Sequence, residues 1–241
     1  IGLFNGVDAA LNAIFHAYGN PGDKLLTTTP TFGYYNPCAH MRGMKIIAIP
    51  YKGKDFLFPY EEISKNLIEE DQKLLLICNP NNPTGTQIKP HHIIELCKLS
   101  PQTLVVVDEL YEAFTGDSVL PLADFNKNPN LLILRSLSKT SGLAGLRIGF
   151  AIGNSQVVNR INRVIGPYDI NSFAVTAAFA SLKDQLYVDN YVAEVLNAKK
   201  WIKSELVVKE IKHHIAGGNY LLIWPKKKPE EVVKEMKSRG I

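Results

Sequence analysis

The feature that most constrains this chain is a set of short, unbroken apolar runs that each stop abruptly on polar residues. Leu74-Leu75-Leu76-Ile77 stops at Cys78-Asn79, Leu104-Val105-Val106-Val107 at Asp108-Glu109, and Leu131-Leu132-Ile133-Leu134 at Arg135-Ser136. Runs this short and continuous read as strands buried on both faces. Stretches of helical period separate them, such as Pro90 to Leu99. The order strand, loop, helix, strand predicts an α/β fold with a mostly parallel sheet covered on both sides. In such sheets ligands sit at the carboxyl ends of the strands, where these polar residues gather.

Further elements follow from the same reading. A helix is expected over Asp8–Tyr18 with Asp8 as its N-cap, then a turn at Gly19–Asp23. Strands are expected at Lys24–Thr28, Lys45–Pro50, Lys73–Cys78, Leu104–Val107, Asn130–Leu134 and Ile148–Ile152. An aromatic loop and a helix fill Pro30–Met41. From Asn171 to about Val207 the period is helical and long. A strand at Gly218–Trp224, a basic turn at Lys226-Lys227-Lys228 and a helix from Glu230 close the chain. The expected division is a large domain over 1–170, followed over 171–241 by a connecting helix and part of a smaller C-terminal α+β domain.

Composition excludes several classes. Of 241 residues, 46% are apolar and 21% charged, which is neither disordered nor collagen-like. No window reaches about eighteen uninterrupted apolar residues, so no membrane-spanning helix is expected. A net charge of +4 permits an anionic small ligand without demanding nucleic acid. Cys38, Cys78 and Cys97 have no metal-ligand spacing and suit buried or free thiols in a reducing cytosol. His91-His92 and His213-His214 read as solvated pairs rather than metal ligands, and Trp201 and Trp224 as packing residues. The start without Met, with no secretory signal, and the close at a helix ended by Gly240 suggest a segment of a longer protein.

The strand ends carry the chemistry. Lys139 follows Ser136 and Ser138 and precedes Gly142-Leu143-Ala144-Gly145-Leu146-Arg147. Hydroxyls, exposed backbone N–H groups and a guanidinium suit a phosphate ester, and a desolvated lysine beside it suits a Schiff base. Asp108 either caps the next helix or pairs with a ring nitrogen that must stay protonated. Tyr111, three residues on, would reach a phenolate oxygen near the same face. The stiff loop Asn79–Gly85 is either a plain connection or a mount for Asn82 as a donor to a ring oxygen. Phe32 is either core or a stacking partner for a planar ring. Gly6, Val7 and Asp8 open a helix whose N–H groups suit phosphate.

Together these segments resemble the fold-type I aminotransferases that use pyridoxal 5′-phosphate, most closely the histidinol-phosphate aminotransferase branch. The resemblance lies in Asn79 through Thr86, Val107 through Phe114, Arg135 through Gly149, and Pro167-Tyr168-Asp169-Ile170-Asn171-Ser172, in order over nearly the whole chain. It implies a seven-stranded sheet in an α/β/α sandwich. It also implies that Lys139 is the covalent attachment point and proton shuttle, that Asp108 pairs with the pyridinium, and that Asn82 and Tyr111 bond the ring oxygen. Phe32 would stack on the ring. Ser136, Ser138, Arg147 and the backbone at Gly6-Val7-Asp8 would hold the phosphate. The implied reaction moves an amino group between an amino acid, or histidinol phosphate, and a 2-oxo acid, in a cytoplasmic homodimer. The resemblance places the substrate-carboxylate arginine beyond Ile241, and Ala9 departs from the branch's usual acidic pair. A phospho-amino-acid decarboxylase of the same fold, or an inert cofactor-binding fragment, would share these residues. A dinucleotide oxidoreductase is disfavoured, because Gly142, Gly145 and Gly149 do not have the required spacing.

Overall fold

The computed structural model describes all of residues 1–241. A single seven-stranded sheet organises most of the chain. Its strands are β1 (Gly2–Phe4), β2 (Lys24–Thr29), β3 (Lys45–Pro50), β4 (Leu74–Cys78), β5 (Leu104–Asp108), β6 (Leu131–Ser136) and β7 (Gly149–Gly153). They lie in the order β1-β7-β6-β5-β4-β2-β3. Pairings from β3 through β6 are parallel, and β7 runs antiparallel to both β6 and β1.

Strand parity sorts the core. Leu74, Leu76, Val106, Leu132 and Leu134 face the helices α1 (Gly6–Tyr18) and α2 (Tyr35–Met41), and pack on Leu11, Ile14 and Phe15. Leu75, Ile77, Val105, Val107 and Ile133 face the opposite side. There they meet Ile63 of α3 (Tyr60–Glu69) and Ile93 and Leu96 of α4 (Pro90–Leu99). Each such side chain contributes roughly 1.5–3 kcal/mol on burial. Two dry faces explain why the runs are apolar without alternation. Parity also has a consequence at the strand ends. Cys78 pairs with Asp108 in register, and both continue the even series toward α1 and α2.

The rest of the chain comprises α5 (Ser155–Asn162), α6 (Ser172–Lys183), α7 (Gln185–Val208), a hairpin of β8 (Lys212–His214) with β9 (Leu222–Trp224), and α8 (Pro229–Ser238). No helix is long and apolar enough to cross a membrane. The cysteines are free and buried.

Several expectations change. Asn5, not Asp8, occupies the N-cap position of the first helix, and Asp8 sits in its first turn. The long helical stretch is two helices. Asp184 ends the first and caps the second, its carboxylate accepting from the Tyr187 N–H at 3.2 Å. The expected strand at Gly218–Trp224 shrinks to Leu222–Trp224, because the preceding backbone bonds elsewhere. Gly217 N–H donates to the Gly85 carbonyl at 2.9 Å, and Lys199 Nζ donates to the Gly218 carbonyl at 2.6 Å. Trp201 is 64% exposed and is not a packing residue. β1, α3, α5 and β8 escaped the sequence reading; the two strands are three residues long and carry too little period to register, while α3 and α5 are short helices with only two buried residues each.

Candidate active site

The carboxyl ends of β4, β5 and β6 open onto one cleft beside the N-terminus of α1. It holds about 550 Å³ of empty space, its open mouth included, and is lined by Val7, Asp8, Phe32, Asp108, Tyr111, Ser136, Ser138, Lys139 and Arg147, together with Cys78, Leu110 and Ala144. Nine of the eleven residues singled out above thus meet in one place. The other two lie just behind it. Gly6 backs the Arg147 guanidinium, and Asn82 reaches the cleft through Tyr111, donating to its hydroxyl at 3.1 Å.

The deep end of the cleft is acidic and dry. Asp108 is 2% exposed. Its Oδ2 accepts from the Tyr35 hydroxyl at 2.9 Å and its Oδ1 from the Leu110 N–H at 3.2 Å. Burial pushes its pKa up to about 6, against these two donors. Burial likewise pushes the Tyr111 phenol up to about 12, the Asn82 amide opposing it. Lys139, just past β6, holds its ammonium 5.5 Å from the Tyr111 ring centroid.

The other end is built for an anion. Ser136 and Ser138 place their hydroxyls 2.8 Å apart. Arg147 adopts a left-handed backbone conformation with φ of 54° and turns its guanidinium toward α1, where Nη2 donates to Asp8 Oδ2 at 2.8 Å. The first N–H groups of α1 lack helical acceptors and carry the positive end of its dipole. Two glycines make the close approach possible. A Cβ on Gly6 would sit 2.5 Å from Arg147 Nη2, and one on Gly149 would sit 2.7 Å from the Gly6 carbonyl carbon and the Val7 nitrogen. Gly149→Ala therefore drives β7 away from the helix start. We expect a loss of about 1–3 kcal/mol in chemical denaturation, with weaker binding of phosphate esters.

The loop from Asn79 to Gly85 is held by its other asparagines. Asn79 Oδ1 accepts from the Ile88 N–H at 3.0 Å, and Asn81 Nδ2 donates to the Pro30 carbonyl at 2.9 Å. That leaves Asn82 to face Tyr111. The loop is also tied to the C-terminal segment. Tyr220 donates its hydroxyl to the Asn81 carbonyl at 2.7 Å and meets the Tyr111 ring edge-on at 5.0 Å, while His214 Nε2 lies 2.9 Å from the Thr84 carbonyl. Tyr35 and Tyr220 were not anticipated, and nothing local marked them. Cys78 was expected only as a buried or free thiol, though the parity of the β4 run pointed to this face. His213-His214, expected as a solvated pair in a helix or turn, instead lie half-buried on β8, where pairing with β9 and the Thr84 carbonyl hold them.

The family model for class I and II aminotransferases matches residues 1–241. The chain belongs to that family. Among similar sequences, histidinol-phosphate aminotransferase of Caldicellulosiruptor saccharolyticus is 35% identical over 98% of this chain and 66% of its own length. Histidinol-phosphate aminotransferase 2 of Carboxydothermus hydrogenoformans is 32% identical over 99% and 66%. This aminotransferase-family chain therefore spans about two thirds of the length of the relatives it matches. In fold it superimposes on the Sinorhizobium meliloti histidinol-phosphate aminotransferase solved with pyridoxal-5′-phosphate. The TM-score is 0.89 at 22% identity, covering 100% of this chain and 66% of that one. L-threonine-O-3-phosphate decarboxylase of Porphyromonas gingivalis is similar too, with a TM-score of 0.81 at 25% identity over 97% and 72% of the two chains. The mostly parallel seven-stranded α/β architecture is thus the one the family shares.

Proposed function

We propose that this chain is the cofactor-holding part of a pyridoxal-phosphate-dependent aminotransferase of the histidinol-phosphate type. The observation that carries the reading is that Lys139 and Asp108 line one cleft whose other end gathers Ser136, Ser138, Arg147 and the start of α1. The donor set fits the group. Hydroxyls, a guanidinium and helix N–H groups suit its phosphate, a buried carboxylate suits its ring nitrogen, and the cradle that glycines keep open at the phosphate end leaves room for close backbone approach.

When bound, pyridoxal 5′-phosphate supplies an electron sink for bond cleavage at the substrate α-carbon. The residues of the chain do the rest. Lys139 would hold the cofactor through its amine, and as a free amine it would move the proton at the substrate α-carbon. Asp108 keeps the ring nitrogen protonated by its negative charge. Tyr111, oriented by Asn82, and Asn82 itself hydrogen-bond the ring oxygen. Phe32 covers a ring face. Ser136, Ser138, Arg147 and the Gly6-Val7-Asp8 backbone hold the phosphate.

We extend the reading to the whole protein. Residues 1–170 are the large domain, and 171–241 are a connecting helix and part of a smaller C-terminal domain. The protein acts as a cytoplasmic homodimer. Exposed Phe173, Phe179, Leu182 and Leu186 along the outer helices support a partner surface, and three buried free thiols suit a reducing compartment.

The test is direct. Adding pyridoxal phosphate to the full-length protein is expected to produce an absorbance band that borohydride fixes onto Lys139, located by peptide mass. Histidinol phosphate and a 2-oxo acid are then expected to give the oxidised carbonyl product and the new amino acid, faster than phenylalanine, tyrosine or leucine. Relatives 31–35% identical support transfer over decarboxylation. Carbon dioxide release from a phospho-amino acid without a carbonyl product would reverse that choice. A fixed cofactor without turnover would make the protein a binder only.

A further inference from the structure

Tyr35 opens α2 and is wholly buried. Its ring lies edge-on to Phe32 at 5.6 Å between centroids, and its hydroxyl donates to Asp108 Oδ2 at 2.9 Å. With Leu110 N–H on Oδ1, each carboxylate oxygen has one protein donor and retains acceptor capacity for the cleft. The surroundings oppose a negative charge here. Burial does so most, and Asp8 from α1 and Glu109 next in the chain add to it. The Tyr35 hydrogen bond is the largest effect in the other direction. Cys78 of β4 is a thiol whose own ionisation burial suppresses, so it supplies no charge. Lys139 and Arg147 line the same cleft from its wall and far end. Tyr35 itself remains a phenol, because burial and the adjacent carboxylate raise its pKa well above the ordinary value.

We propose that Tyr35 is a positioning residue, whose hydroxyl holds the Asp108 carboxylate as an anion aimed into the cleft, ready to receive a protonated ring nitrogen. The inference rests on the cofactor reading above and adds a residue to it. A phenylalanine at this position would fill the same space. It would leave Asp108 with a single donor, free to turn about its side-chain axis and readier to take up a proton. A buried hydroxyl needs an acceptor, and a buried carboxylate needs donors. Tyr35 and Asp108 answer both needs across 73 residues of sequence.

The experiment titrates the apo form of the full-length protein with pyridoxal phosphate at a series of pH values around 6, where Asp108 titrates. It compares wild type, Tyr35→Phe, Asp108→Asn and the double variant. Titration of the phosphate is common to all four and cancels in the comparison. Tyr35→Phe is expected to weaken cofactor binding about twofold near neutrality and about tenfold toward pH 5, as fewer molecules hold Asp108 as an anion. It should also move the midpoint of the pH dependence up by about one unit. In the Asp108→Asn background the same change is expected to add nothing. Equal weakening in both backgrounds with an unmoved midpoint would mean simple packing and would overturn the proposal. Unchanged affinity and midpoint would overturn it as well. If Tyr35→Phe does not fold, fluorotyrosine placed at Tyr35 donates more strongly and is expected to move the midpoint down; no movement overturns the proposal. Failure of borohydride to fix cofactor on Lys139 in the wild type would instead overturn the cofactor reading beneath it.

Discussion

Lys139→Ala is expected to lower amino transfer by about four orders of magnitude and to abolish the borohydride-fixed cofactor. Thermal stability should remain within about 0.5 kcal/mol of wild type. The separation follows from the structure. Lys139 is half-buried at the end of β6 and forms no salt bridge. Its nearest aromatic neighbour is Tyr111, with the ammonium 5.5 Å from the ring centroid. Little of the fold leans on it, while the proposed attachment and proton movement both need an amine at that point. Lys139→Arg is the informative control. It keeps the positive charge but cannot form the link, because a guanidinium does not give up its proton in a protein. We expect it to be as inactive as the alanine variant. Single-turnover assays with mass analysis check both. Turnover within about tenfold of wild type in either variant would remove Lys139 from the chemistry and the proposed function with it.

The second large effect is on stability. Arg135→Met is expected to cost about 3–5 kcal/mol in chemical denaturation. Glu109 is completely buried beside Asp108, and its carboxylate accepts from Arg135 Nε at 3.0 Å, Ser118 Oγ at 2.8 Å and the Val119 N–H at 2.7 Å. Arg135 also bonds Glu112 and donates to Ser118 Oγ at 2.7 Å. Methionine preserves much of the apolar stem but strands the Glu109 charge in the protein interior. The loss should come mainly from that charge rather than from a cavity. Accordingly, the double variant Arg135→Met, Glu109→Gln is expected to recover more than half of it. If the double variant is no more stable than the single one, the network is not what holds the ends of β5 and β6 together. The same change should raise the Asp108 pKa, since Glu109 then acts on it without a compensating cation.

Much of this site was legible in the residue order, and the reason is local. A buried strand must be apolar and must end on something polar, so Asp108, Ser136 and Lys139 announce themselves as the first polar groups past β5 and β6. A helix start with a glycine announces Gly6, Val7 and Asp8. Asn82 stood out because prolines at 80 and 83 and a glycine at 85 make its loop stiff. Exposed segments were less readable. The outer helices carry large apolar residues on solvent-facing sides, Phe173 and Leu186 among them, so their period blurred and the break at Asp184 passed unseen.

Residue order alone therefore determined the layered sheet, the polar strand ends and the family to which the chain belongs. These depend on period, burial and residue type, which are properties of neighbours in the chain. Only the tertiary structure decided what stands behind those strand ends. It set Tyr35 against Asp108, Asp8 against Arg147, and Tyr220 against Asn81, over separations of 73, 139 and 139 residues. A hydrogen bond depends on distance and direction in space, and no spacing along the chain encodes either until the sheet brings its ends together.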